Sequence, residues 1–206
     1  AKKIYRKINE IGSFYKWHAS KEIASIMTQQ NAKKEATNYL FKIYDDIEKT
    51  IFRTFDLANF LKTQEDYNDA IKLYSEILEK IDRNHSLYAK VLDRRGTSYE
   101  RVGKWELAEQ DLLLSLKVLP DQAYTINYLA YTWIEKGKNT EKALKMLKKA
   151  NTLKKNDGYI IDSLGWALYK LSNFTEAENY LQRAITIMPK DPIVNDHFAD
   201  CLWMNN

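Results

Sequence analysis

A small residue recurs at one fixed place in an apolar pattern roughly every 34 residues, and this constrains the fold more than any other feature. Leu164-Gly165 is followed by Phe174, Ala177, Leu181, Ala184 and Pro189. Leu129-Ala130 leads to Trp133, Gly137, Ala143, Leu147 and Ala150, and Arg95-Gly96 leads to Tyr99, Gly103, Trp105, Ala108, Leu112 and Pro120. Leu57-Ala58 and Ile23-Ala24 open two earlier copies, and Phe198-Ala199 begins a last one that the chain end cuts short.

The spacing inside each copy is helical, with apolar residues returning every three or four positions. Two helices in succession, one carrying Gly or Ala and the other an Ala that faces it, pack closely because neither has bulk at the crossing. Larger residues further along fill the remaining gap. A single such pair cannot bury its apolar face, so copies must stack on one another. Pro120 and Pro189 stop the second helix of their copies. Six Gly and three Pro in 206 residues argue against a turn-rich β fold.

The order of small, aromatic and Pro positions resembles the tetratricopeptide repeat, a helix–turn–helix unit with the pattern W-x2-L-G-x2-Y, then A-x3-F, A and P. In that phase repeats start at Trp17, Ile51, Ala89, Ala123 and Gly158, and a half repeat starts at Pro192. The resemblance covers residues 17–206. It weakens early in the chain, where no Pro closes the first two repeats and extra residues near "DRNHS" lengthen the second. The implied fold class is all-α, a right-handed superhelical solenoid of antiparallel helix pairs. Residues 1–16 read as an orphan second helix of a preceding repeat plus a linker, so the chain is expected to be cut from a longer array. Its C-terminal part is similar to multi-repeat bacterial proteins of this family, of an alphaproteobacterial type.

In the family's architecture the first helices line a concave groove. Positions 2, 5, 9 and 12 of each repeat form one stripe there, beside the core stripe. The C-terminal groove expected on this basis carries Tyr124, Asn127, Tyr131, Tyr159, Asp162, Trp166, Tyr169, Asp196, Asp200 and Trp203. Aromatic rings offer large contact area at low entropic cost, and carboxylates beside them give direction to a basic or amide-bearing ligand. The alternative use of the aromatics is packing between neighbouring first helices. The three Asp residues favour a ligand surface, since filler positions would not hold unpaired carboxylates.

A second groove, near the N-terminus, is basic and centres on Lys21, Lys90 and Arg94. It matches the basic positions of the clamp by which some family members hold a peptide's terminal carboxylate. The Asn positions of that clamp are Ser25 and Asp56 here, and Asp56 is expected to repel a carboxylate or neutralise Arg94.

Charge supports the same division. The first fifty residues carry ten Lys or Arg against six Asp or Glu, whereas residues 151–206 carry five against seven. The Lys-rich stretch from Lys136 to Lys155 reads as a solvated helix face. There is no Gly-rich phosphate loop, H-E-x-x-H or C-x-x-C. His197 and Cys201, one turn apart, offer two metal ligands where a structural zinc site uses four. The single Cys excludes an internal disulfide framework, and no apolar run approaches the ~20 residues of a membrane span.

A non-catalytic scaffold that binds a segment of another protein in its groove, without cofactor or metal, is therefore expected. Self-association through exposed terminal helices is the alternative. A single-stranded nucleic-acid binder is disfavoured, because carboxylates among the aromatics repel phosphates. A soluble protein is expected, of the bacterial cytoplasm or, if exported, with its signal outside this sequence.

Overall fold

The computed structural model describes residues 13–205, and the side chains from residue 15 onward. The expected orphan helix near the N-terminus lies outside the described residues. Eleven α-helices and no strand are found among them. They run α1 (Ser13–Gln29), α2 (Lys33–Asp45), α3 (Ile51–Thr63), α4 (Tyr67–Lys80), α5 (Tyr88–Arg101), α6 (Trp105–Val118), α7 (Ala123–Glu135), α8 (Thr140–Leu153), α9 (Gly158–Lys170), α10 (Phe174–Ile187) and α11 (Pro192–Asn205). The odd-numbered helices are the first helices of their pairs, and the fold class is all-α.

Five pairs turn in the same way. The residue that leaves each first helix sits in the left-handed region: Asn31, Glu65, Gly103, Gly137 and Ser172 have φ of 62°, 68°, 77°, 62° and 62°. The next residue's N–H then reaches back to a carbonyl five positions earlier, as from Asp66 to Leu61 at 2.9 Å and from Asn173 to Leu168 at 2.9 Å. This Schellman closure satisfies carbonyls that the helix end would otherwise orphan. It aims the second helix back along the first within three residues, or four between α7 and α8.

The small residues sit where the helices meet. Ala24, Ala58 and Ala130 on first helices, and Ala36, Ala70, Ala108, Ala143 and Ala177 on second helices, are fully buried. Gly165 shows how tight the crossing is, since a Cβ there would stand 2.7 Å from Leu181 Cγ.

The chain divides into two compact units, residues 1–111 and 112–206, with the boundary inside α6. In the first, one continuous core joins Trp17, Leu40, Tyr44, Leu57, Leu61, Tyr74 and Ile77. Arg95 stands where the other repeats place an apolar residue, Leu in three of them, before the small residue. Its guanidinium donates two bonds to the Asp111 carboxylate, at 2.7 and 2.9 Å, and one to Ser75 Oγ at 3.1 Å. In the second unit α9 packs on α10, α8, α7 and α11. Its interior holds Ile126, Ile160, Ile161, Ala184 and Val194.

Two of these helices have carboxylate caps. Asp157 accepts from Ile160 N at the start of α9, and Asp191 accepts from Ile193 N and Val194 N at the start of α11. The Lys-rich α8 face is partly paired, with Lys149 Nζ 2.7 Å from Asp121 and Lys148 Nζ 3.8 Å from Glu176.

Candidate partner-binding surface

In the second unit the residues of α7, α9 and α11 singled out by the sequence do different things. Tyr159, at 62% exposure, and Trp203, at 84%, stand out into solvent. Ile193 is also exposed, as are Asp196 and Asp200. Tyr124 is exposed along its ring while its hydroxyl donates to Asp157 Oδ2 at 2.7 Å, so the capping carboxylate of α9 also fixes a ring of α7. Lys154 Nζ lies 4.8 Å from the centroid of that ring.

Tyr131, Trp166 and Tyr169 are half-buried. Trp166 stacks on Tyr169 with centroids 4.8 Å apart, and on His197 of α11 at 4.0 Å with planes only 11° apart. Tyr169 in turn meets Phe174 at a tilted 5.6 Å. The indole N–H of Trp166 donates to Glu135 Oε1 of α7 at 2.7 Å. Lys170 Nζ lies 5.4 Å from the Trp166 ring centroid and 3.8 Å from Glu135 Oε1. One indole thus ties three first helices together. Burial, reinforced by the Glu135 and Asp162 charges, pushes the Tyr131 phenol up to about 12. Asn127 is half-buried, and its Oδ1 is buried without a hydrogen-bond partner.

Asp162 corrects the sequence reading. It is not a rim carboxylate but a buried one, 6% exposed, with both oxygens 3.0–3.1 Å from His197 Nδ1. A carboxylate accepts, so Nδ1 carries the hydrogen. Asp162 is thus a paired acid and does not mark a ligand surface. Asp196 and Asp200 do keep the exposed placement expected of them.

The first unit corrects a second point. Asp56 takes Lys21 Nζ at 2.6 Å and the Trp17 indole N–H at 3.1 Å. It therefore neutralises Lys21 rather than Arg94, whose guanidinium lies 3.9 Å from Asp93. Lys90 and Arg94 are exposed one helical turn apart on α5. A cleft of about 420 Å³ opens between α1 and α3, lined by Trp17, His18, Lys21, Phe52, Arg53 and Asp56.

Glu135 and Lys170 are not singled out by the sequence, and His197 is singled out there only as a metal ligand; all three touch Trp166. The signal for the His197 contact is periodic. Lys21 and Asp56, like Asp162 and His197, are 35 residues apart and join position 5 of one repeat to position 6 of the next. A complementary pair at that separation predicts the contact. Among the described residues no group of three His, Cys, Asp or Glu side chains is placed to hold a metal ion, and no helix is long and apolar enough to cross a membrane.

Comparison with known proteins agrees with the repeat pattern. A family model described as tetratricopeptide repeat matches residues 5–206. The TPR repeat-containing protein PA4667 of Pseudomonas aeruginosa is 34% identical over 81 residues, which are 39% of this chain and 14% of that protein's length. Among solved structures, the thermophilic TPR protein TTC0263 of Thermus thermophilus aligns with a TM-score of 0.69 at 16% identity, covering 91% of this chain and 99% of that one. A tetratricopeptide repeat protein from Parabacteroides merdae gives 0.69 at 17% identity, over 92% and 73%. YrrB, described as a TPR protein with an unusual peptide-binding site, gives 0.60 at 14% identity, over 86% and 89%. At these identities the structural likeness shows the fold alone.

Proposed function

The chain belongs to the tetratricopeptide repeat family, and from that premise we propose that it is a non-catalytic scaffold whose second unit holds a segment of a partner protein. The family and fold support an interaction scaffold in general. The peptide-binding site named for YrrB belongs to that protein, and it supports the class of function rather than any residue here.

The observation that carries the proposal is the line of exposed apolar side chains on successive first helices: Tyr124, Tyr159, Ile193 and Trp203. A monomer tolerates scattered exposed rings, but the same helix edge exposing a large apolar side chain in three consecutive repeats suits an elongated ligand. Asp196 and Asp200 beside them favour a partner that is basic, since charges on a rim steer association.

The test places a photo-crosslinking phenylalanine analogue at Tyr159 and, separately, at Lys145 on the second helix α8, in the native cell. Adducts with another protein from Tyr159 and none from Lys145 are expected. The captured segment should then bind Trp203→Ala at least tenfold more weakly with the melting temperature unchanged. Adducts from Lys145 alone would move the working surface to the second helices.

A second reading, self-association, has its own observation: Trp203 and Met204 are both exposed on α11. Sedimentation over a hundredfold concentration range separates the two, because only self-association makes the mass rise with concentration.

A further inference from the structure

We propose that the outer face of α8, with the turns at its two ends, is a docking surface for an anionic lipid membrane. The second unit meets that membrane from the side opposite its first helices, so this function lies beyond the groove binding described above.

Residues 136–155 hold eight Lys and one Glu, a surplus of seven positive charges on a chain whose net charge is +4. All eight lysines are exposed. The helical period sets their direction. Ala143, Leu147 and Ala150 form the buried side of α8, and Ala150 packs with Ala123 and Ile126 of α7 and Ile160 of α9. Lys142, Lys145, Lys148 and Lys149 therefore project away from those first helices. Lys148 and Lys149 reach the carboxylates of Glu176 and Asp121, and Lys142 lies over the Trp133 ring, whereas Lys145 has no such contact. Two partly exposed acids leave most of the positive field open to solvent. The first helices have the contrary sign: α7, α9 and α11 carry Glu135, Asp162, Asp196 and Asp200 against Lys170. A negative surface thus attracts the α8 side and leaves Tyr159 and Asp196 facing away from it.

The chemistry of the face selects lipid among polyanions. Its cations are all Lys, and Arg, whose planar fork reads individual phosphates and bases, is absent from residues 136–155. α8 carries no aromatic ring on which a base could stack. Leu119 and Leu153 stand at its border instead, 43% and 42% exposed. Lys149 donates to the carbonyl of Pro120, beside Leu119, which holds that turn against the lysines. Lysines next to exposed leucines match the two layers of a membrane surface, headgroup charge and acyl boundary.

The test floats the full chain with vesicles of phosphatidylcholine, alone or with about one-third phosphatidylglycerol. Flotation is expected with the anionic vesicles only, and it should weaken as salt rises. Lys142→Gln, Lys145→Gln and Lys155→Gln together should reduce binding at least tenfold, and Leu153→Ser, which removes no charge, at least threefold. Lys33→Gln, Lys34→Gln and Lys80→Gln together remove the same charge from the first unit and should leave binding within twofold of the wild type. Circular dichroism checks that each variant is folded. Absence of flotation with anionic vesicles, or equal losses in the two triple variants, would overturn the membrane surface. So would tighter binding of oligo(dT) than of the anionic vesicles, abolished by the α8 triple variant, which would assign the face to nucleic acid.

Discussion

His197 Nδ1 lies 3.0 Å from Asp162 Oδ2, inside the second unit, with both side chains at least nine-tenths buried. The same imidazole stacks on Trp166 at 4.0 Å. The ring therefore supplies α11 with a hydrogen bond and a stacking contact to α9, and both links depend on one residue.

Replacing His197 by Phe keeps a stacking ring and removes the hydrogen bond, leaving a buried carboxylate without its donor. A loss of about 2–3 kcal/mol is expected in urea denaturation followed by circular dichroism. Asp162→Asn, which keeps an oxygen acceptor in place, should lose roughly 1 kcal/mol. Equal small losses in both variants would mean that the pair contributes only shape.

In the first unit Arg95 and Asp111 have exchanged an apolar contact for a bidentate ion pair, with side-chain exposures of 20% and 9%. Breaking it from one side strands the other charge, so Arg95→Leu alone should cost roughly 2–4 kcal/mol. The double variant Arg95→Leu with Asp111→Leu should recover most of that loss, because an apolar pair needs no compensation. A double-variant cycle reads the coupling, and additive losses would show that the pair is incidental.

The helix pairs were legible in the sequence because close packing admits few residues. Ala24 with Ala36, Ala58 with Ala70, and Gly165 with Ala177 repeat their positions since any bulk there separates the helices. The site was less legible. Asp162 lies on the stripe of Tyr159 and Trp166, and helical periodicity alone sends all three to one face. A first helix, however, also packs sideways on the next first helix, and position 5 stands at that border. Asp162 turns inward onto His197, 35 positions on, whereas Lys21 and Asp56 pair at the same separation and both stay partly exposed. Periodicity within one repeat holds no record of that difference. The role of Trp166 was likewise set by Glu135, Lys170 and His197, none of which lies on the stripe.

The left-handed turn residue offers a stabilising change. Glu65 holds φ of 68° and is exposed, whereas the equivalent position in two other repeats is Gly103 and Gly137. An L-residue there costs about 1–2 kcal/mol, and glycine's extra freedom in the unfolded chain offsets part of this. Glu65→Gly should therefore raise stability by up to about 1 kcal/mol. Gly137→Ala should lower it by about 1 kcal/mol, although a Cβ there meets nothing within 4 Å. Thermal melts of the two variants should move in opposite directions.

Tyr131 makes the alkaline limb of stability testable. Its phenol is pushed up to about 12 in the folded protein from an ordinary 10.0, so folding favours the neutral form. That contribution is fully present below pH 10 and is lost as pH rises through about 12. Between those values the wild type should lose stability more steeply than Tyr131→Phe, which has no proton to release. Urea midpoints at half-unit pH steps measure the difference, and parallel curves would place the phenol in ordinary solvent.

The crossing of α9 and α10 yields a prediction of sign. A Cβ on Gly165 would stand 2.7 Å from Leu181 Cγ and 2.9 Å from its Cδ2, with the Leu181 backbone nitrogen at 3.2 Å. Glycine inside a helix is about 1 kcal/mol worse than alanine in the absence of such contacts. In the wild type the clash should outweigh that gain, so Gly165→Ala destabilises by roughly 1–2 kcal/mol and Gly165→Leu by several. Leu181→Ala alone opens a cavity and costs about 2–5 kcal/mol. It also removes the two closest atoms. In that background Gly165→Ala should turn stabilising, because the helix preference remains and only the backbone contact opposes it. A Gly165→Ala effect of the same sign and size in both backgrounds would mean that Leu181 does not set the approach of these helices.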